Sequence, residues 1–293
     1  MEPLRIRIGV NLVMAHPDAV VDLARHAEAC GYDSVWTGEH VALPLDTDFS
    51  RYGGNAPYTP RSNFLEPLSL LAALSQVTTR IRLGTGVLIA PLRDPVMLGR
   101  AVMTVDVLSG GRLDLGLGIG WNAPEFANVG ASYAERGRRT DEMLDVLNAL
   151  FTQEEPEFHG AFYAFGPIGF EPKPVQRPRP KTFIGGHSPA ALRRAARFGD
   201  GWYGSGKLDT IKPVLLQLER ERVAAERGAD PFDILLTDIG PPPSRDQLMR
   251  LADAGVHGIV LIPWEGSGPR MGTIMTDGAR ELERYAESLG LTS

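Results

Sequence analysis

The sequence predicts an α/β fold, a single (β/α)8 TIM-type barrel with insertions in its loops, running as one domain over residues 1–293. Three observations predict it. Eight short apolar runs alternate strictly with eight amphipathic stretches, a pattern that requires parallel strands joined by right-handed helical crossovers. Eight such units in 293 residues suit a closed barrel better than an open doubly wound sheet. No linker-like composition divides the chain.

The elements follow in order. RIRIGV (5–10) is a strand entered almost at once, leaving no room for a signal peptide. A helix follows over 18–30, and ACGYDSVW (29–36) ends it at Gly31 before the second strand, 33–38. Helix 65–78, strand IRLGTGVL (81–88), helix 95–108 and strand RLDLGLG (112–118) come next. After helix 136–151, the Pro-rich stretch 152–180 follows a helix, so it belongs at the bottom or flank of the barrel in a structural role. Then come strand 181–185, helix 189–198, strand 201–205, helix 209–227, strand 232–237 and helix 244–254. DAGVHGIVL (253–261) is a second short glycine exit, into strand 258–263, and helix 277–289 closes the chain.

Composition narrows the function. The chain is 43% hydrophobic and 23% charged, and its longest apolar runs, such as GIVLIPW (258–264), are too short to span a membrane. A net charge of −6 with no basic stripe argues against nucleic acid and leaves a small-molecule substrate as the expected partner. One cysteine, Cys30, excludes an internal disulfide and suits a reducing cytoplasm. Of four lysines only Lys207 falls on a loop that follows a strand, which weakens a Schiff-base reading.

Loops after strands form the catalytic end of such a barrel. Those at 39–64, 119–135, around 206–208 and at 264–276 are enlarged. In RLDLGLGIGWNAPEF (112–126) glycines recur at every second position. The spacing is not that of a dinucleotide fingerprint, and Pro124 stands where that helix should already be running, with the next helical pattern only near Arg136. LGTGV (83–87) is equally bare around Thr85. Glycine in a strand marks a bulge or a close approach, so the two strands read either as a tapering barrel interior or as a face for a planar ligand. FIGGHSPAAL (183–192) is a strand, two glycines, Ser188 as N-cap and Pro189 in the first turn, which is a well-capped helix and equally an anion site. WTGEHV (36–41) sets Glu39 and His40 at the end of the second strand, where imidazole can act as acid or base. His16, His40 and His187 lie on loops at the same end but lack metal-ligand spacing, so no metal is expected.

These stretches together resemble the luciferase-like monooxygenase family of flavin-dependent oxidoreductases, over nearly the whole chain. The most specific are WTGEHV, residues 79–126, RGRRTDEML (136–144) and residues 172–202. They are most similar to the branch that uses the deazaflavin coenzyme F420. The resemblance implies His40 at the redox-active ring carbon, with Glu39 tuning it. It implies a non-prolyl cis peptide at Gly86-Val87 behind the ring, with Thr85 and Asn122 also at the cofactor. It implies a phosphate held by Gly185, Gly186, His187 and Ser188. Trp121 and Tyr58, the latter in RYGGNAPYTP (51–60), would wall the substrate pocket. Sugar-phosphate dehydrogenases of this family carry a catalytic glutamate where this chain has Trp121, so glucose-6-phosphate is not the expected substrate. A homodimer is implied as well. The alternatives are an FMN-dependent monooxygenase supplied by a separate reductase, and a non-catalytic flavin-binding protein.

Overall fold

The computed structural model describes residues 4–13, 15–50, 58–237, 241–262 and 274–291. Eight parallel strands close into a ring: β1 (Arg7–Asn11), β2 (Ser34–Thr37), β3 (Arg82–Thr85), β5 (Leu113–Gly118), β8 (Lys181–Gly185), β9 (Gly201–Ser205), β10 (Asp233–Thr237) and β11 (Gly258–Leu261), which pairs back to β1. The two-residue β4 (Leu88–Ile89) adds to β5 beyond a break in β3. The eight predicted strands are therefore all present, and the ring is a TIM-type barrel.

Helices α1 (Val20–Ala29), α2 (Pro67–Ser75), α3 (Pro95–Leu108), α5 (Arg136–Thr152), α6 (Pro189–Phe198), α7 (Leu208–Ala224), α8 (Arg245–Asp253) and α9 (Ile274–Leu289) follow the strands in turn. Their starts are written in the sequence. Glu66, Asp94 and Ser188 accept first-turn amides and each precedes a proline, whose missing N–H and fixed φ suit the first helical position. Ser244 and Gln247 form a capping box on α8. After α1 and α8 the chain turns through Gly31 (φ 85°) and Gly255 (φ 84°), as the short exits required.

One addition matters for the site. Pro124 does not break structure. It is the second residue of α4 (Ala123–Asn128), capped by the Asn122 side chain, which accepts from the Glu125 amide at 3.1 Å. A proline in a first turn removes no helical bond.

Trp36, Phe183, Tyr203, Leu235 and Val260 fill the barrel interior, with Trp36 edge-on to Phe183 at 5.7 Å and 5.2 Å from Tyr203. Glycine stands beside the large rings in register: Gly84 beside Trp36, and Gly116 and Gly201 on either side of Phe183. Stretch 152–180 forms the hairpin β6 (Phe158–His159) and β7 (Ala164–Phe165), then crosses the bottom, where Asp106 accepts the Val175 and Gln176 amides. Its structural role holds. Among the described residues no helix is long and apolar enough to cross a membrane.

Candidate active site

The chain leaves β2 through Gly38, where a Cβ would stand 2.9 Å from the Gly86 carbonyl oxygen. That close approach brings His40 over the upper end of the barrel, where such folds keep catalytic groups. From the other side, α4 delivers Glu125, fully buried. Glu125 Oε2 lies 2.9 Å from His40 Nδ1, and Oε1 accepts the Val41 and Ala42 amides at 2.5 and 3.2 Å. Burial alone would raise the Glu125 pKa. The His40 ring and the two amides outweigh it and hold the carboxyl below its ordinary value.

The other ring nitrogen of His40, Nε2, is 2.9 Å from the Tyr58 hydroxyl. Aromatic rings enclose it: Tyr58 at 4.9 Å, Phe64 at 5.2 Å and Trp121 at 5.9 Å, with Phe49 against both Tyr58 and Trp121. The expected walls Tyr58 and Trp121 thus do stand around His40. Residues 51–57 of the aromatic loop and 263–273 of another enlarged loop lie outside the described residues.

Glu39 requires a correction. Its carboxylate points away from His40 and is taken up by Arg93 (2.6 Å to each oxygen) and by the Ile89 amide. Successive side chains on an extended segment project to opposite sides, so adjacency in sequence separated these two groups. The carboxylate partnering His40 is Glu125, 85 positions away.

Of the two readings of the glycine-rich strands, the structure favours the barrel interior filled by the protein over an open face for a ligand. A Cβ on Gly84 would lie 2.3 Å from the Trp36 indole, one on Gly116 1.9 Å from the Thr85 carbonyl oxygen, and one on Gly118 2.7 Å from Val87 Cγ2. The vacated space is occupied by the protein itself. Thr85 is fully buried, with its hydroxyl bonded to the Gly116 amide and carbonyl, so its side chain is not offered to a cofactor. Asn122 is likewise buried and committed to capping α4. Gly86 and Val87, both half-buried, are joined by a cis peptide where the resemblance placed it; a Cβ on Gly86 would stand 2.6 Å from the Tyr203 hydroxyl, and Val87 packs against the barrel-interior cluster.

At the fifth barrel strand, β8, residues 186–190 are exposed at the start of the ten-residue α6, whose first turn holds no acidic side chain. Gly186 has φ 108°, and its carbonyl accepts from Trp202 Nε1 at 2.8 Å. His187 Nε2 accepts the Ser205 amide at 3.0 Å, and desolvation lowers its pKa. Among the described residues no group of three His, Cys, Asp or Glu could hold a metal ion. A groove of about 520 Å³ lies elsewhere, lined by α7 and by the residues that lead into β10 and β11, at the end of those strands opposite the one where His40 follows β2.

The fold is thus a TIM-type barrel that sets His40 and the exposed start of α6 at the ends of its second and fifth strands. The sequence profile of the luciferase-like monooxygenases matches residues 5–239, and the chain belongs to that family. An uncharacterised protein of Mycobacterium tuberculosis is 35% identical over 281 residues, covering 92% of this chain and 93% of its own. An FMNH2-dependent dimethylsulfone monooxygenase of Pseudomonas putida is 31% identical over 163 residues, 55% of this chain and 44% of that one. An F420-dependent secondary alcohol dehydrogenase superposes with a TM-score of 0.76 at 15% identity, covering 99% of this chain and all of that one, which is a likeness of fold.

Proposed function

We propose that this chain is an F420-dependent oxidoreductase that transfers a hydride between the deazaflavin and a small organic substrate. The observation that carries the reading is the His40 ring, held between a buried carboxylate and a hydroxyl inside an aromatic enclosure at the barrel mouth. The group itself fits. Residues 186–190 offer exposed backbone at a helix start free of acidic side chains, which suits a phosphate. Gly185, Gly186, His187 and Ser188 would hold that phosphate, and Gly86 and Val87 would support the ring.

When bound, the deazaflavin supplies or accepts the hydride. His40 Nε2 exchanges the proton that accompanies it. Trp121, Tyr58, Phe49 and Phe64 exclude water and orient an apolar substrate body. A homodimer in the cytoplasm is the proposed working form, which light scattering would check.

The match to the dimethylsulfone monooxygenase favours a second reading, an FMN-dependent monooxygenase served by a separate reductase. Titrating the apoprotein with F420 and with FMN separates the two. The expected result is F420 bound at least about tenfold more tightly, with turnover independent of oxygen. FMN binding without detectable F420 binding overturns the reading. Binding without turnover on any substrate points to a flavin-binding protein.

A further inference from the structure

We infer that Glu125 is a positioning residue that fixes His40 in the tautomer protonated at Nδ1, leaving Nε2 as a proton acceptor facing the barrel mouth. The inference rests on the reading of His40 as the group nearest the reacting atoms, but its test needs neither cofactor nor substrate.

The geometry leaves one arrangement of hydrogens. An ionised carboxylate only accepts hydrogen bonds. Glu125 Oε1 is occupied by the Val41 and Ala42 amides, and Oε2 meets His40 Nδ1 at 2.9 Å. Nδ1 must therefore carry a proton. The opposite tautomer would press a ring lone pair against a carboxylate at 2.9 Å, too close for any molecule to stand between, leaving two buried acceptors unmet. With Nδ1 protonated, a neutral ring has its lone pair at Nε2, and the Tyr58 hydroxyl, also at 2.9 Å, donates to it.

The position of Glu125 within α4 supports a dedicated role. Asn122 is the N-cap and Glu125 the third helical residue, the spacing in which a glutamate ordinarily reaches back to the amide of the capping residue. Here the cap receives its half of the arrangement, while the glutamate turns across to the loop after β2. Because the two amides anchor Oε1 independently of the ring, the carboxylate keeps its place whatever replaces Tyr58. When a donor gives its proton to Nε2, its O–H or N–H bond breaks and the electron pair stays on the donor. The new N–H makes the ring an imidazolium, whose positive charge lies against the buried negative charge of Glu125. This is how a carboxylate both orients a histidine and stabilises its charged form.

The test is the tautomer of His40 in the ligand-free, full-length protein labelled with 15N-histidine. Long-range 1H–15N correlation spectra at neutral pH read it, with His40 among the six histidines assigned by the signals that His40→Asn removes. Wild type is expected to show a protonated Nδ1 and an unprotonated Nε2. In Glu125→Gln the carbonyl can keep the Val41 and Ala42 amides while the NH2 group donates to Nδ1, so the pattern should invert to Nε2–H. Tyr58→Phe should leave the wild-type pattern. An Nε2–H ring in wild type overturns the inference even if no Glu125 variant folds. So does an unchanged Nδ1–H ring in Glu125→Gln, or a tautomer that switches in Tyr58→Phe. Loss of turnover in His40 variants bears on the functional reading alone, so the two can fail separately.

Discussion

The carbonyl oxygen of Thr85 lies 1.9 Å from where a Cβ on Gly116 would stand. The Thr85 hydroxyl also exchanges hydrogen bonds of 2.8 Å with the Gly116 amide and carbonyl. The obstructing atom is backbone, held where Thr85 pairs with Thr37 of β2, so it cannot rotate aside. Gly116→Ala should therefore destabilise the barrel by about 1–3 kcal/mol or more, the range for overpacking a closed core. Gly169→Ala, with nothing within 4 Å of the new carbon, is the control and should stay within about 0.5 kcal/mol. Urea midpoints of the two variants decide it. A wild-type midpoint for Gly116→Ala would return β5 to the role of an open face.

Particular residues show what was legible in the sequence. The strands and principal helices were, because glycine exits, Pro-led helix starts and the alternation of elements are local signals. The pair formed by His40 and Glu125 was not. It depends on β2 and β5 flanking β3 in the closed ring, and nothing along the chain couples two positions 85 apart. A partial signal existed in Asn122-Ala-Pro-Glu125, the spacing of a capped helix start, which would have revealed α4 but not where Glu125 turns. The strand glycines were visible, but whether a ligand or the protein fills the space beside them is a three-dimensional question, and Trp36, Thr85 and Val87 answered it.

The anion site at α6 is tested at Gly186. With φ at 108° any side chain is strained there, and a Cβ would stand 3.0 Å from that of Ala191. Alanine and aspartate share this cost, about 1–2 kcal/mol, and only aspartate adds a negative charge. Gly186→Ala should weaken cofactor binding a few-fold, and Gly186→Asp by a further factor of about ten or more. Equal dissociation constants for the two variants, measured on protein of normal circular dichroism, would remove the phosphate from this turn.

Acid stability should depend on the barrel bottom. Asp233 on β10 joins Arg7 of β1 and Lys181 of β8, each at 2.9 Å. Burial would raise its pKa, but the Lys181 and Arg7 charges outweigh it and lower the value. A lowered folded pKa gives stability that is fully present above the ordinary carboxylate value, about 4, and lost as pH falls through the folded value. Asp233→Asn should thus be less stable at pH 7 by about 1–2 kcal/mol, between exposed and buried pairs. The gap to wild type should begin to narrow at about pH 4 and close as pH falls through the lowered folded value. A gap of constant size across denaturation curves from pH 3 to pH 7 would show that the ion pairs are not its source.

His40 carries the functional reading, and its replacement separates catalysis from packing. The ring contacts Glu125, Tyr58, Phe64 and Trp121, so a purely structural histidine would show itself in stability before it showed itself in rate. A positioned acid or base contributes about 10²–10⁴-fold. His40→Ala should lower turnover on that scale while cofactor affinity stays within about tenfold, because the helix start that would take the phosphate belongs to a different strand. His40→Asn keeps a hydrogen-bonding group of similar reach but exchanges no proton near neutral pH. If Nε2 transfers a proton, asparagine restores substrate binding and leaves kcat at the alanine level. If the ring only polarises a substrate oxygen, asparagine recovers much of the rate. The two variants are compared by kcat and KM at several pH values, with unfolding midpoints taken alongside. Wild-type turnover in both, with lowered midpoints, would make His40 a packing residue and move the reacting centre elsewhere in the barrel mouth.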